Sequence, residues 1–261
     1  MIRKWKVTVP SLTGDEPRWA YLYVPDEAKT DPDARYPVLY MFDGHNVFFD
    51  KDATYGKSWG MKEYLEKNRI PLIVAAVECN HHPDGGRLRE YAPFSFSAKG
   101  LGKIDGRGKQ TMDWLVRDFK PYIDSRWPTL PDREHTFLAG SSMGGLMTVY
   151  GVMAYNRVFS KGAALSPSLW TAPWRLDRML QTARLYGKTA LYLDYGQQEL
   201  AGRKEMLSVL LRTVARLSQR DVLVDFRIVP DGTHCEASWE KQIPFFLNCL
   251  LYEADRSDPQ E

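Results

Sequence analysis

The length, composition and charge of the chain indicate a soluble globular protein and exclude several function classes. It has 261 residues, 44% hydrophobic and 26% charged, which is enough to bury the core of an α/β domain and argues against disorder. The formal net charge of +2 is too small to favour nucleic acid or a membrane surface as a partner. No apolar run is long enough to span a bilayer, and the N-terminal MIRKWKVTVP lacks the apolar segment of an export signal.

The cysteines point to a reducing compartment. Cys79, Cys235 and Cys249 are an odd number and lack the spacing of metal ligands. Reduced thiols are the simplest interpretation, so we expect a cytoplasmic protein.

Short apolar runs alternate with helical stretches along the chain. The runs are 5-WKVTV-9, 19-WAYLYV-24, 37-PVLYMF-42, 72-LIVAAV-77, 135-HTFLAG-140, 189-TALYLDY-195 and 222-VLVDFRIV-229. Helical stretches between or after the later runs include 111–122, 145–155, 203–219 and 239–252. Continuous apolar runs are typical of parallel strands covered on both faces, whereas the first two runs alternate and have no helix between them. The pattern predicts a three-layer α/β fold with a mostly parallel central sheet and antiparallel N-terminal strands.

Internal repeats, low-complexity tracts and Pro/Ser-rich linkers are all missing from the sequence. We therefore expect one domain spanning residues 1–261.

The stretch 138-LAGSSMGGLM-147 contains a G-x-S-x-G motif centred on Ser142. A strand pattern precedes it and a helix pattern follows it, which is the context of a nucleophile elbow. Gly140 and Gly144 leave room for the tight turn, and the amide of Met143 would form half of an oxyanion hole. Ser141 is the weaker choice for the nucleophile because the spacing to both glycines centres on Ser142.

A serine nucleophile needs a histidine base, and the chain has five histidines. His135 leads into the elbow, His81 and His82 lie in a predicted surface loop, and His45 precedes the elbow. His234 lies after the last strand pattern and before the last helix, where a hydrolase of this class places its base. His234 is therefore the predicted base.

The acid of a triad should follow the run 189-TALYLDY-195. Asp194 lies inside that predicted strand, and Glu199 lies in the loop after it. The acid must reach the histidine from beyond the end of the strand, and Glu199 fits this position better than Asp194 does. Asp194 remains an alternative.

The second oxyanion donor should come from the loop after the third strand, 43-DGHNVFF-49. Gly44 permits a tight turn there, so the amide of His45 or of a neighbour is the candidate. An ordinary Asp-Gly turn without this role is the alternative.

Several segments together resemble the putative-esterase family of α/β-hydrolases, which includes esterase D, feruloyl esterases and trilactone siderophore esterases. These segments are 38-VLYMFDGHNVF-48, 87-RLREYAPF-94, 137-FLAGSSMGGLMTVYG-151, 159-FSKGAALSPSLW-170, 192-YLDYGQQE-199 and 232-GTHCEASW-239. The resemblance implies an α/β-hydrolase fold and a triad of Ser142, Glu199 and His234. It also implies hydrolysis of a small-molecule carboxylic ester through an acyl-enzyme.

The predicted substrate contacts are Arg87, Tyr91, Trp170 and Trp239, although aromatic residues in such positions are equally often core residues. The chemistry requires no cofactor, and no metal site is predicted because His81 and His82 lack the spacing of zinc ligands. Thioesterase or acyltransferase activity with the same triad is an alternative. A non-catalytic carbohydrate-binding protein on the same scaffold is another.

Overall fold

Most of the predicted apolar runs form strands of one eight-stranded sheet. The computed structural model describes residues 1–98, 100 and 102–252, except for the side chain of residue 98. The strands are β1 (Ile2–Thr8), β2 (Pro17–Tyr23), β3 (Val38–Met41), β4 (Ile73–Val77), β5 (Phe96–Ala98), β6 (Gly102–Ile104), β7 (Thr136–Ser141), β8 (Lys161–Leu165), β9 (Thr189–Gly196) and β10 (Val222–Val229).

The order across the large sheet is β1-β2-β4-β3-β7-β8-β9-β10. β2 pairs antiparallel with β1 and β4, and every later pairing from β4 to β10 is parallel. The strands β5 and β6 form a separate antiparallel ribbon. The predicted α/β class and the antiparallel N-terminal start are thus confirmed.

Helices cover both faces of this sheet. They are α1 (Pro10–Thr13), α2 (Met61–Lys67), α3 (Gly86–Glu90), α4 (Gly108–Trp114), α5 (Lys120–Asp124), α6 (Met143–Ala154), α7 (Pro173–Thr182), α8 (Gln197–Leu200), α9 (Lys204–Ser218), α10 (Glu236–Glu240) and α11 (Ile243–Leu251). None of the helices in the described ranges has both the length and the apolar character that crossing a bilayer requires.

Successive side chains of a strand point to opposite faces, so the sheet separates two apolar cores. In β3, Val38 and Tyr40 belong to one core, and Leu39 and Met41 to the other. Helices α4, α6, α7 and α9 contribute to the first core, and α2, α10 and α11 to the second. This arrangement is the three-layer architecture that the continuous apolar runs predict.

Several elements differ from the sequence-based prediction, among them the short strands β5 and β6, which no predicted run contains. Strand β8 was not predicted, because its sequence KGAAL is poor in β-branched residues. The helix predicted over 111–122 is longer and has a π-helical turn, Leu115–Phe119, between α4 and α5. The helix predicted over 239–252 is two helices, and Pro244 in the first turn of α11 is consistent with a new helix starting there.

The loops after β3, β4, β7, β8, β9 and β10 all leave the parallel part of the sheet at the same edge, because the carboxyl ends of parallel strands lie together. Ser142, Glu199 and His234 follow β7, β9 and β10 at this edge, whereas Asp194 lies within β9.

Candidate active site

Ser142 occupies a strained turn between β7 and α6. Its backbone adopts φ 58° and ψ −118°, a conformation that non-glycine residues seldom take. The Ser142 amide donates to the carbonyl of Leu165 at 2.9 Å, and its carbonyl accepts from the Ser168 amide at 2.9 Å. Neighbouring strand β8 and the loop after it therefore hold the strained residue in place.

The turn needs glycine at position 140. A Cβ added to Gly140 would lie 2.7 Å from the carbonyl carbon of Gly144, so the two chain segments almost touch. Ser141 is the last residue of β7 and is buried, whereas Ser142 is partly exposed with its Oγ 3.4 Å from Oγ of Ser168. The geometry thus presents Ser142 rather than Ser141.

Glu199 and His234 are in direct contact. His234 Nδ1 lies 2.5 Å from Oε2 of Glu199. Glu199 lies in the short helix α8 directly after β9 rather than in the predicted loop, and His234 lies in the loop after β10. A proton on Nδ1 leaves Nε2 as the basic nitrogen of the ring. Ser142, Glu199 and His234 all line one cavity, whose open space is about 980 Å³.

The other oxygen of the Glu199 carboxylate is also bound. Oε1 accepts from the Ser166 hydroxyl at 2.6 Å and from the Gly196 amide at 2.9 Å. Burial raises the pKa of Glu199, but the hydrogen bonds from His234, Ser166 and Gly196 lower it by more, so the pKa lies below its ordinary value. The carboxylate is therefore held in its charged form.

Asp194, the alternative acid, is in a different environment. It is 1% exposed; Oδ2 accepts from the Tyr192 hydroxyl at 3.0 Å and Oδ1 from the Ser166 amide at 3.1 Å. Burial raises the pKa of Asp194 to about 7, against the opposing effect of these hydrogen bonds. Its described partners belong to the protein scaffold rather than to the imidazole of His234.

Ser166 is a residue that the sequence analysis did not single out. Its amide binds Asp194, its hydroxyl donates to Glu199, and that hydroxyl accepts from Nε1 of Trp239 at 3.0 Å. The backbone of Ser166 has φ 43°, again in the left-handed region. Its place in 166-SPSLW-170, a segment that carries the family resemblance, was the available signal.

Two elements supply candidate amide donors for an oxyanion at Ser142. The Met143 amide lies in the first turn of α6, where helical amides have no partner within the helix. Across the site, Gly44–Asn46 form a 3₁₀ turn after Asp43, and the Asn46 amide is already bonded to the Asp43 carbonyl at 2.8 Å. The amides of Gly44 and His45 are therefore the candidate donors of this turn.

Asp43 fixes the conformation of that turn. Its backbone is left-handed, at φ 56° and ψ 53°, and its amide donates to the Tyr91 hydroxyl at 3.1 Å. Arg87 binds both carboxylate oxygens of Asp43, with Nε and Nη2 each 2.7 Å away. Burial raises the pKa of Asp43, but the Arg87 guanidinium lowers it by more, so the carboxyl pKa is below its usual range.

The four predicted substrate contacts occupy different environments. Trp170 is 49% exposed and lines the cavity with Ser142. Trp239 is mostly buried, stacks on Trp59 and packs edge-on against His234. Tyr91 is buried against Phe42, and Arg87 is committed to Asp43 while still lining a second cavity beside Ser142. Their predicted role as substrate contacts stays a prediction.

The fold defines the chain as an α/β-hydrolase, and comparison with known proteins gives the family. The model of the putative-esterase family matches residues 12–247, so the chain belongs to that family and is a carboxylic ester hydrolase.

Curated relatives and a solved structure are similar to the chain over most of its length. An uncharacterized protein of Bacillus subtilis, YbbA, is 25% identical over 205 residues, covering 76% of this chain and 75% of that protein. The ferri-bacillibactin esterase BesA of Bacillus subtilis is 22% identical over 246 residues, covering 88% and 81%. An IroE-like serine hydrolase from Shewanella oneidensis has a similar fold, with a TM-score of 0.73 at 17% identity over 96% of this chain and 79% of that one.

Proposed function

We propose that the protein hydrolyses a small-molecule carboxylic ester through an acyl-enzyme formed on Ser142. The observation that carries this proposal is the 2.5 Å contact between Glu199 and His234, in the same cavity as a serine held at a strained strand-to-helix turn. Each of the three residues follows the end of a strand at the carboxyl edge of the sheet, as nucleophile, base and acid do in hydrolases of this class.

In the first step, Nε2 of His234 takes the proton of the Ser142 hydroxyl while Oγ attacks the ester carbonyl. The oxyanion that forms accepts hydrogen bonds from the Met143 amide and from the turn of Gly44 and His45. The intermediate collapses with cleavage of the carbon–oxygen bond, and His234 gives its proton to the leaving alcohol. Water then attacks the acyl-enzyme by the same sequence, which regenerates the Ser142 hydroxyl and releases the acid.

Glu199 is the proposed partner of the imidazole. Its lowered pKa keeps a negative charge next to the ring, and this charge stabilises the imidazolium that forms during attack. Asp194 is proposed to position Glu199 indirectly. It accepts a hydrogen bond from the Ser166 amide, and the Ser166 hydroxyl donates one to Glu199.

The cavity supports an ester with an apolar or flat group near the nucleophile. Trp170 and Met206 supply apolar surface to its lining, and Arg203 supplies a cation. Thioester cleavage and acyl transfer would pass through the same acyl-enzyme, and the products formed from each donor distinguish them.

The test is covalent labelling with a fluorophosphonate, followed by intact-protein mass measurement. We expect one adduct in the wild type and in Ser141→Ala, and no adduct in Ser142→Ala. Turnover of p-nitrophenyl acetate and of feruloyl, acetyl-sugar, thioester and trilactone substrates should fall by a factor of about 10³ or more in Ser142→Ala. A wild-type protein that is neither labelled nor active would overturn the proposal in favour of a binding role.

The acid is tested by a matched pair of isosteric variants. Glu199→Gln should lower kcat by a factor of about 10² to 10⁴, because the amide does not stabilise the imidazolium. Asp194→Asn should retain most of the activity, and the opposite order of the two variants would move the acid to Asp194.

A further inference from the structure

Three potential metal ligands lie together next to the proposed active site. His45, Cys79 and His81 each present one donor atom, and these atoms are all within 4.8 Å of one another. His45 belongs to the turn after β3, and Cys79 and His81 to the loop after β4, so the two adjacent parallel strands bring them to one point. We propose that this cluster binds a divalent transition-metal ion of the zinc type and that the bound ion inhibits the esterase.

The donor set suits such an ion. Two imidazole nitrogens and one thiolate sulfur are preferred by Zn²⁺ and Co²⁺, whereas Mg²⁺ and Ca²⁺ prefer oxygen ligands. Three protein ligands leave the fourth tetrahedral position for water or for a substrate group. On binding, the Cys79 thiol releases its proton to solvent and the thiolate donates an electron pair to the ion, with no change of oxidation state.

The ring of His45 supplies an independent observation. His45 is 5% exposed, and its Nδ1 is buried without a hydrogen-bond partner among the described residues. Its Nε2 lies 3.0 Å from the Thr54 hydroxyl, which can accept the Nε2 proton. When Nε2 donates to this hydroxyl, the lone pair is on Nδ1, an arrangement that the outer partners of metal-bound histidines commonly impose. A buried acceptor without a donor is unfavourable, and a metal ion would satisfy it.

Cys79 and His81 complete the cluster at different depths. Cys79 is 3% exposed, and its Sγ lies 4.0 Å from Nδ1 of His81. The ring of His81 packs edge-on against that of His45, with 4.7 Å between the ring centroids. Donors of a tetrahedral zinc site are roughly 3.5 Å apart, since zinc lies about 2.0 to 2.3 Å from each. Because His81 is an exposed residue, a small rotation of its side chain is sufficient to close the site.

The location explains the expected inhibition, which rests on the proposed function. The cluster and the residues Ser142 and His234 line the same cavity, whose open space is about 1040 Å³. The His45 amide is also a proposed oxyanion donor, so an ion on the His45 ring constrains the turn that must hold the oxyanion. Metal binding therefore opposes formation of the acyl-enzyme from a position beside the nucleophile.

Binding is tested first, without reference to activity. Metal-free protein, prepared with a chelator, is titrated with Co²⁺ and followed by visible and near-ultraviolet absorption. We expect one Co²⁺ per chain, with the d–d bands of a tetrahedral site and a thiolate-to-cobalt charge-transfer band. Cys79→Ser should lose the charge-transfer band, and His81→Ala should weaken Co²⁺ binding at least roughly tenfold.

Two neighbouring variants serve as matched controls. His82→Ala changes the adjacent exposed histidine, which pairs with Asp84, and Cys235→Ser changes a thiol beside His234. Both should bind Co²⁺ like the wild type. Because His81 is exposed, His81→Ala should fold normally even if the buried substitution at Cys79 lowers stability. The site would be disproved if Co²⁺ did not bind, or if the charge-transfer band persisted in Cys79→Ser.

Inhibition is tested with Zn²⁺ in the ester hydrolysis assay. Zn²⁺ should reduce wild-type turnover at least tenfold, chelation should restore it, and His81→Ala should resist inhibition while His82→Ala should not. A cobalt site without zinc inhibition would overturn the regulatory part alone. A chain that binds Co²⁺ as expected but hydrolyses no ester would instead show that the proposed function has failed while the metal site stands.

Discussion

Single residues at this site carry several contacts each, and Ser166 is the clearest case. Its amide, its hydroxyl oxygen and its hydroxyl proton contact Asp194, Trp239 and Glu199 respectively. Because one side chain joins a buried acid, an indole and the proposed triad acid, the position of Glu199 depends on groups behind it. A polar network of this kind holds a unique geometry only while every member keeps its partner.

Asp194 should make stability depend on pH. Its folded-state pKa of about 7 lies above the ordinary value of 3.8. Between these two pH values the carboxyl is therefore protonated in the folded protein but ionised in the unfolded chain. Its contribution to the free energy of unfolding is fully present below about pH 4 and is lost as pH rises to about 7. The total loss is on the order of 4 kcal/mol.

Urea unfolding of the wild type and of Asp194→Asn, between pH 4 and pH 8, measures this effect. The asparagine does not titrate, so the stability of the variant relative to the wild type should increase with pH and level off above about pH 7. A difference that stays constant over this range would contradict the raised pKa.

Arg87 is expected to act on the reaction through Asp43. Replacing it in Arg87→Met leaves a buried carboxylate without its bidentate partner and loosens the turn that presents the amides of Gly44 and His45. We expect kcat to fall by roughly 10 to 100-fold with little change in KM, because the oxyanion contact forms in the transition state. Arg89→Met, which removes a more exposed ion pair with Asp84, is the control and should be nearly neutral.

Active-site titration with the fluorophosphonate corrects these rates for the folded fraction. A purely structural role for Arg87 would lower the thermal midpoint and leave kcat per labelled site unchanged.

At the scale of elements, the connection from β7 to α6 determines the geometry around Ser142. A Cβ on Gly140 would lie 2.7 Å from the carbonyl carbon of Gly144, and a Cβ on Gly145 would lie 3.0 Å from the carbonyl oxygen of Leu165. The elbow is therefore packed against the loop after β8 as well as against itself. Strand β8, with its small residues, allows this close approach even though its sequence is a poor strand signal.

Gly140→Ala should damage both stability and activity. The added methyl group would lie 2.7 Å from backbone of Gly144, which has no flexible side chain to move away. We expect a loss of more than roughly 2 kcal/mol in the free energy of unfolding, as for other overpacked sites, and a large fall in kcat/KM. Gly187→Ala is the matched control, since its added Cβ would meet the ends of two side chains, Arg133 at 3.1 Å and Glu134 at 3.7 Å, rather than backbone. Equal effects of the two substitutions, measured by urea unfolding, would contradict this account.

At the scale of the molecule, one sheet is shared by two apolar cores. Leu146 of α6 lies in the first core and Phe246 of α11 in the second, and both are almost fully buried. Each strand contributes alternate side chains to both cores. Unfolding of one core therefore exposes one face of the sheet on which the other core also depends. We propose that the predicted single domain unfolds cooperatively over the described residues up to 252, and residues 253–261 of the prediction lie outside them.

Leu146→Ala and Phe246→Ala test this proposal together. Each should lower the free energy of unfolding by about 3 to 4 kcal/mol and shift a single transition. Leu211→Ala on the exposed side of α9 should change stability by less than about 0.5 kcal/mol. Tryptophan fluorescence and far-ultraviolet circular dichroism should give the same midpoint in each variant, and two separated transitions would indicate two independent domains.

Much of the fold could be predicted from the sequence because its signals are local. Apolar runs such as 37-PVLYMF-42 contain enough β-formers to identify a strand. A G-x-S-x-G motif flanked by strand and helix patterns predicts a nucleophile elbow. The family was also predicted correctly from short segments. Local signals failed where the strand was made of small residues, as in β8, and where Pro244 started a new helix inside an apolar stretch.

Contacts between distant segments were not available from the sequence. His234 was selected by its order in the chain, but its 2.5 Å contact with Glu199 depends on how two loops meet. The choice between Glu199 and Asp194 depends on contacts of the same kind, because the sequence does not give the direction in which a carboxylate points. The role of Arg87 as a substrate contact stays a prediction, and its pairing with Asp43 was not available from the sequence.

The sequence by itself determined the alternation of elements, the α/β class, the family and the position of the elbow, because these follow from periodicity and from short motifs. Only the tertiary structure decided which side chains meet across the sheet edge. It placed Ser166 between two acids and brought His45 to Cys79 and His81, which are more than thirty residues away along the chain. The physical reason is that strand order sets these contacts, and the placing of β3 between β4 and β7 is a property of the packed sheet.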